Sequence, residues 1–107
     1  MAVPESDVMN ACRLSYEATQ DINDIWTYIA ADNLAAADRL VRDIRNASAM
    51  LAESPTLGHF RRDLTSLAVR FYTVRKTYLI VYDPETKPLV IARVLHGARH
   101  AADILRA

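Results

Sequence analysis

Apolar residues along this chain change their spacing from two to three-or-four and back to two, and each change marks an element. Residues 11 to 16, ACRLSY, put Cys12 and Leu14 on one face and predict a short strand. From Glu17 the spacing lengthens. Ile22, Ile25, Trp26 and Ile29 fall at i, i+3, i+4 and i+7, the stripe of an amphipathic helix, with Asp21, Asp24 and Tyr28 on the opposite side. Asp32-Asn33 breaks this helix, and Asn33 is a strong N-cap for a second one over residues 34 to 53. The second stripe is Ala37, Leu40, Val41, Ile44, Ala47, Ser48 and Leu51, with Arg39, Arg42, Asp43 and Arg45 toward water. Two helices joined this tightly form an antiparallel hairpin. Ser54-Pro55-Thr56-Leu57-Gly58 ends the second helix, because proline cannot continue it and glycine supplies the turn.

A linking segment, residues 59 to 66, carries Arg61 and Arg62, and then the period returns to two. Leu67, Val69, Phe71 and Thr73 alternate with Ala68, Arg70, Tyr72 and Val74, and Arg75-Lys76 follows as a hairpin turn. Tyr78-Leu79-Ile80-Val81-Tyr82 is apolar on both faces, residues 83 to 88 are a turn, and residues 89 to 95 form the last strand. Gly97 permits a sharp exit into a short helix or tail over residues 98 to 105. The order β-αα-β-β-β predicts an α+β fold: an N-terminal strand, then a helical hairpin packed on one face of a mostly antiparallel sheet.

That architecture raises a problem of coverage. One helical layer shields one face of a sheet, and an antiparallel sheet open to water should be polar on the other. Here Tyr78, Ile80 and Tyr82 oppose Leu79 and Val81, while Ile91 and Leu95 oppose Val90, Ala92 and Val94. The tail after Gly97 is short, so the expectation is that a partner protein lays a helix or an extended segment on the second face.

Length and composition narrow the class. The chain has 107 residues, 51% hydrophobic and 24% charged, enough for one soluble domain with its own core. Residues 11–107 are expected to form that single domain and residues 1–10 a disordered N-terminal extension. Cys12 is alone and can make no intrachain disulfide. Uninterrupted apolar stretches reach about five residues, far from the ~20 that span a bilayer, so neither membrane insertion nor export is expected and the location is read as cytoplasmic. The formal net charge is zero, which argues against attraction of the whole molecule to nucleic acid. The halves differ, however: residues 1–53 hold nine acidic and four basic side chains, and residues 54–107 hold four acidic and nine basic. Eleven of the thirteen basic residues are arginine, whose planar fork suits carboxylate or phosphate.

The ordered set S-Y-E-A (15–18), D-I-N-D-I-W-T-Y-I-A (21–30), L-A-E-S-P-T-L-G (51–58), R-R-D-L (61–64), V-R-F-Y-T-V (69–74), Y-L-I-V-Y (78–82) and R-V-L-H-G-A-R-H (93–100) resembles the RelE/ParE superfamily of type II toxin–antitoxin toxins. The likeness is closest to the ParE branch, sometimes called plasmid stabilisation proteins, and spans residues 11 to 105. The resemblance implies a helical hairpin against an antiparallel sheet. It also implies a cognate antitoxin, typically a ParD-like ribbon-helix-helix dimer whose C-terminal segment wraps the toxin, with operator DNA reached only through that antitoxin. For a ParE-like member it implies inhibition of DNA gyrase by binding, without catalytic residues or cofactor. The alternative within the superfamily is a RelE-like, ribosome-dependent mRNA endonuclease. Cleavage through the 2′-OH needs proton transfer and fixed positive charge, for which Arg70, Arg93, His96 and Arg99 are the candidates. The cluster of lysines used by RelE is not evident, since Lys76 and Lys87 are the only lysines.

Further site expectations follow. Arg61, Arg62, Arg99 and His100 are candidates for target contact, and Arg70, Tyr72, Tyr78, Ile80, Tyr82 and Arg93 for antitoxin contact. His96 and His100 stand at i, i+4, a metal-binding spacing on a helix, but no third ligand has motif spacing and no metal is expected. Arg93 shares a face with Ile91 and Leu95 in a regular strand, so it should find an acid such as Asp63 or Asp83 if it is not turned toward a partner. Trp26 reads as core, Tyr28 as exposed and Cys12 as a small buried residue.

Overall fold

A computed structural model describes residues 12–105, the side chains of Ala98 and Arg99 excepted. The expected extension over residues 1–10 lies outside the described residues. The elements are β1 (Cys12–Leu14), α1 (Tyr16–Ala30), α2 (Leu34–Glu53), β2 (Arg70–Val74), β3 (Tyr78–Asp83), β4 (Leu89–His96) and α3 (Ala98–Leu105). The four strands lie in the order β1-β4-β3-β2, with β1 parallel to β4 and the other pairs antiparallel. This is the α+β hairpin-on-sheet arrangement that the periodicities predict.

Local chemistry places the boundaries. Ser15 caps α1, its Oγ accepting from the Ala18 amide at 3.0 Å, so the first strand ends at Leu14, two residues earlier than its pattern implies. Asn33 caps α2 in the same way, accepting from the Ala36 amide at 2.9 Å. Arg75 and Lys76 both take positive φ, 55° and 62°, which gives the two-residue turn the twist that joins adjacent strands. Gly97 also sits at positive φ, 86°, and its amide donates to Thr77 O at 2.9 Å, turning the chain out of β4 into α3. No helix among the described residues is long and apolar enough to cross a membrane.

Strand β2 begins at Arg70 and not at Leu67. The preceding residues are held in turns instead: the Leu64 and Thr65 amides both donate to Arg61 O. The Thr65 hydroxyl donates to Leu105 O at 3.0 Å and accepts from the Leu67 amide at 3.1 Å. The linker is thereby drawn across the sheet to the end of α3.

That path overturns the expectation of an uncovered second face. On the helical side, α1 and α2 bury Ile22, Leu40, Val41, Ile44 and Leu51 against Val74, Ile80, Tyr82, Leu89, Ile91 and Val94. On the other side, Phe71, Leu79, Val81 and Leu95 pack with Leu64 of the linker and Ala101 of α3, flanked by Val69, Ala102 and Leu105. The same molecule seals both faces, because a linker that reads as a loop and an eight-residue helix together supply the missing layer.

One irregularity explains Arg93. Val81 opposes Arg93 while Tyr82 opposes Ile91, which leaves Ala92 as an inserted residue, a β-bulge. The bulge resets the alternation, so that Ile91 and Val94 both face the helices and Leu95 faces the second cluster. Arg93 thus no longer shares a face with Ile91, and its guanidinium reaches Asp21 of α1 rather than Asp63 or Asp83.

Burial of Leu95 at 1% exposure makes a direct check on the sealed face. Leu95→Ala is expected to lower the unfolding free energy of the isolated chain by about 2–4 kcal/mol in urea titrations, the cost of a core cavity. A loss below about 1 kcal/mol would mean that the face is open to water.

Candidate partner-binding surfaces

The outer edge of β2 is only partly covered. His59 pairs with Phe71 through two main-chain bonds of 2.9 and 2.8 Å, and this bridge stands alone. Since Phe71 spends its amide and carbonyl on His59, alternation turns those of Tyr72 toward β3 and those of Thr73 outward again. Beside this edge runs a groove of about 360 Å³ lined by Asp43, Asn46, Ala47 and Met50 of α2 and by Tyr72, Thr73, Val74 and Arg75. Arg75 bonds Asp43 across it, Nε to Oδ2, at 2.7 Å. Outward backbone groups beside an apolar trough are what an added extended segment requires.

Below the groove a second cluster fixes the loop that follows α2. The Tyr82 hydroxyl donates to Pro55 O at 2.6 Å and accepts from the Gly58 amide at 2.8 Å. Burial pushes the phenol above its ordinary pKa, against the Gly58 hydrogen bond and the nearby Arg70 charge, which favour the ionised form. A Cβ at Gly58 would stand 2.5 Å from Tyr82 Oη and 2.9 Å from Phe71 O, so glycine is required there by close approach. Arg70 donates from Nη1 to Gly58 O at 2.7 Å, and its guanidinium lies 4.3 Å from the centre of the Phe60 ring. Arg62 approaches the same ring at 5.3 Å. Phe60, Leu57 and Leu67 are large apolar side chains left exposed on this loop.

The candidate residues from the sequence divide among these settings. Tyr72 lines the groove at β2. Ile80 and Tyr82 are each 0% exposed within the helical-side core, so they are withdrawn from the expected antitoxin-facing set. Arg70 is committed to the loop, and Arg93 makes a two-pronged pair with Asp21 at 2.8 and 2.9 Å. That hydrogen-bonded carboxylate raises the Arg93 pKa above its ordinary value, against the opposing effect of burial. Asp21, placed by the helical pattern opposite the apolar stripe, has 13% of its side chain exposed and also accepts from the Val94 amide at 3.0 Å.

The target-facing set is similarly dispersed. Arg61 pairs with Asp63 at the surface, which lowers the Asp63 pKa and raises that of Arg61, each chiefly through their mutual hydrogen bonds. His100 is exposed near the start of α3, whereas the linker that carries Arg61 and Arg62 is bonded to the far end of that helix. Of the nuclease set, the Arg99 side chain lies outside the described residues, and Arg70 and His96 are far apart. Arg70 stands opposite Tyr82 and His96 opposite Tyr78, at the two ends of β3. Four residues of strand put them about 13 Å apart along the sheet, at roughly 3.3 Å per residue.

Sequence reasoning missed Asn46, Met50 and Thr73 as groove residues and Asp21 as a clamp. Met50 gave a signal, being a large apolar residue off the helical stripe. Asp21 gave none, because its partners lie more than seventy positions away.

Comparison with known proteins gives a consistent result. The family described as ParE toxin of type II toxin-antitoxin system, parDE, matches residues 12–101. Among solved structures, one described as the chromosomal ParDE TA system from P. aeruginosa is similar over 81% of this chain and 95% of that one, with a TM-score of 0.66 and 19% identity. No curated protein sequence matches.

The loop tether is open to a direct check. Arg70→Ala is expected to destabilise the chain by about 1–2 kcal/mol, the range for one hydrogen bond plus a cation–π contact, and to speed hydrogen exchange at the Gly58 amide. An unchanged unfolding midpoint with unchanged exchange at Gly58 would show that Arg70 does not hold the loop.

Proposed function

Since the chain belongs to the ParE toxin family of type II toxin–antitoxin systems, we propose that it inhibits DNA gyrase by binding and that a cognate antitoxin neutralises it. The inhibitor works in the cytoplasm, where its target is, and the antitoxin is a ParD-like ribbon-helix-helix protein. The observation that carries this reading is the groove between α2 and β2, with an outward-facing backbone edge at Thr73. It supports capture of an extended antitoxin segment as an added strand, with apolar side chains settling over Ala47, Met50 and Tyr72. This argument differs from the one the sequence suggested: the partner's place is the edge of the sheet, not its second face.

Binding without chemistry is also the reading the arginines favour. Arg70 and Arg93 serve the fold, and Arg70 stands at the opposite end of the sheet from His96. General acid–base cleavage of RNA requires such groups around one phosphate.

Purified chain added to a plasmid supercoiling assay is expected to inhibit gyrase in proportion to its concentration. Full supercoiling at a large molar excess of folded chain, together with codon-linked cuts in mRNA from induced cells, would replace this reading with the nuclease. Thr73→Pro removes the outward amide of β2 and is expected to weaken antitoxin binding by about tenfold or more, measured by calorimetry. Equal affinity for the variant would place the antitoxin elsewhere.

A further inference from the structure

A second hollow, distinct from the groove at β2, lies where α1 crosses the end of the sheet. It has a volume of about 300 Å³ and is lined by Asp24, Ile25 and Tyr28 of α1, Tyr78 of β3 and His96 of β4. The Tyr78 and His96 rings stack at 5.1 Å between centres with a 28° interplanar angle. Tyr28 is 83% exposed, the most exposed of the large apolar side chains among the described residues. Asp24, among the described residues, has neither a hydrogen-bond nor an ion-pair partner.

We infer that this hollow binds the guanidinium of an arginine presented by a partner protein. The chemistry is that of a half-open aromatic cage with one carboxylate. Tyr28 and Tyr78 line the hollow, and the attraction of a cation to aromatic surface grows as the cation leaves water for an apolar recess walled by Ile25. Asp24 offers two oxygens to the planar fork of arginine, which a compact ammonium cannot engage as a pair. Charge complementarity selects the ligand further. Asp24 gives the lining negative charge, and the one basic group lining the hollow is the His96 imidazole. A nucleotide could stack on the same rings, but its phosphates would meet Asp24 with no arginine or lysine in the lining to hold them. The hollow and the groove adjoin the same end of the sheet, where Val74 pairs with Tyr78, but one is formed with α1 and the other with α2 and they share no lining residue, so the two surfaces can be occupied by different segments.

The test needs neither gyrase nor antitoxin, so its outcome is independent of the toxin reading. Isotope-labelled full chain at pH 8 is titrated with N-acetyl-arginine N-methylamide, with the matching citrulline compound, and with adenosine monophosphate, while chemical shifts are followed. The arginine probe is expected to produce saturable shifts at Asp24, Tyr28, Tyr78 and His96. The uncharged citrulline probe should bind about tenfold more weakly or worse, as should the arginine probe with Asp24→Asn, since each removes a charge-assisted contact. Asp24 is exposed and unbonded, so this variant keeps the fold, which the unchanged remainder of the spectrum verifies. Equal response to arginine and citrulline, shifts confined to other surfaces, undiminished binding by Asp24→Asn, or a response at these residues to adenosine monophosphate in place of arginine would each overturn the proposal.

Discussion

The bond between Asp21 and the Arg93-Val94 segment holds this architecture together. β4 runs for eight residues, but β1 pairs only with Leu89, Val90 and Ile91. Past that point the outer backbone of β4 would be left without a neighbour, which is costly once the surrounding side chains are buried. α1 takes over the task. Ser15 donates from its amide to Ile91 O and from its hydroxyl to Ala92 O, at 3.0 and 2.7 Å, and Asp21 accepts from the Val94 amide and both prongs of Arg93. The bulge at Ala92 is what brings these groups into reach. A single helix therefore ends one strand, closes the exposed edge of another and lays its apolar stripe over the sheet. Three, four and seven residues further on, Asp24, Ile25 and Tyr28 follow on the same side and arrive beside His96.

The second constraint is that both faces of a small sheet are apolar and both are covered from within. The helical hairpin is the larger cover, and the linker joined to α3 through Thr65 and Leu105 is the smaller. A sheet covered this way offers a partner no bare hydrophobic face. What it leaves available is an edge, the outward groups of Thr73 beside the trough under α2, and, at the same end of the sheet, the hollow beside α1 where Val74 pairs with Tyr78 and Tyr78 with His96. The proposed antitoxin contact thus draws on edge geometry and family membership, while the second sheet face is sealed into the core.

Much of this was readable in the sequence because local rules determine it. The stripes of α1 and α2, the Asn33 cap, the Arg75-Lys76 turn and the α+β order each follow from residues a few positions apart. What was not readable depends on contacts across the fold. The bulge at Ala92 has no composition signal, so regular alternation puts Arg93 on the face of Ile91, which the bulge undoes. The linker looked like a loop because the hydrogen bond that orders it joins residues forty positions apart. Tyr82 and Ile80 looked like partner contacts because alternation alone cannot say which face the helices choose. Of the candidate site residues, Tyr72 and Tyr78 do line hollows at the surface, while Arg70 and Arg93 turn out to tie the chain to itself.

The most direct test of the Asp21 clamp is a double-mutant cycle on unfolding free energy with Asp21→Ala, Arg93→Ala and both together. With 13% and 25% of their side chains exposed, the pair is sheltered enough for the charges to couple strongly. The account expects the single changes each to destabilise and their coupling energy to reach about 1–3 kcal/mol. Losses that add to within about 0.5 kcal/mol would mean that the two residues do not act as one fastening, and α1 would have to be held on β4 by its apolar stripe alone.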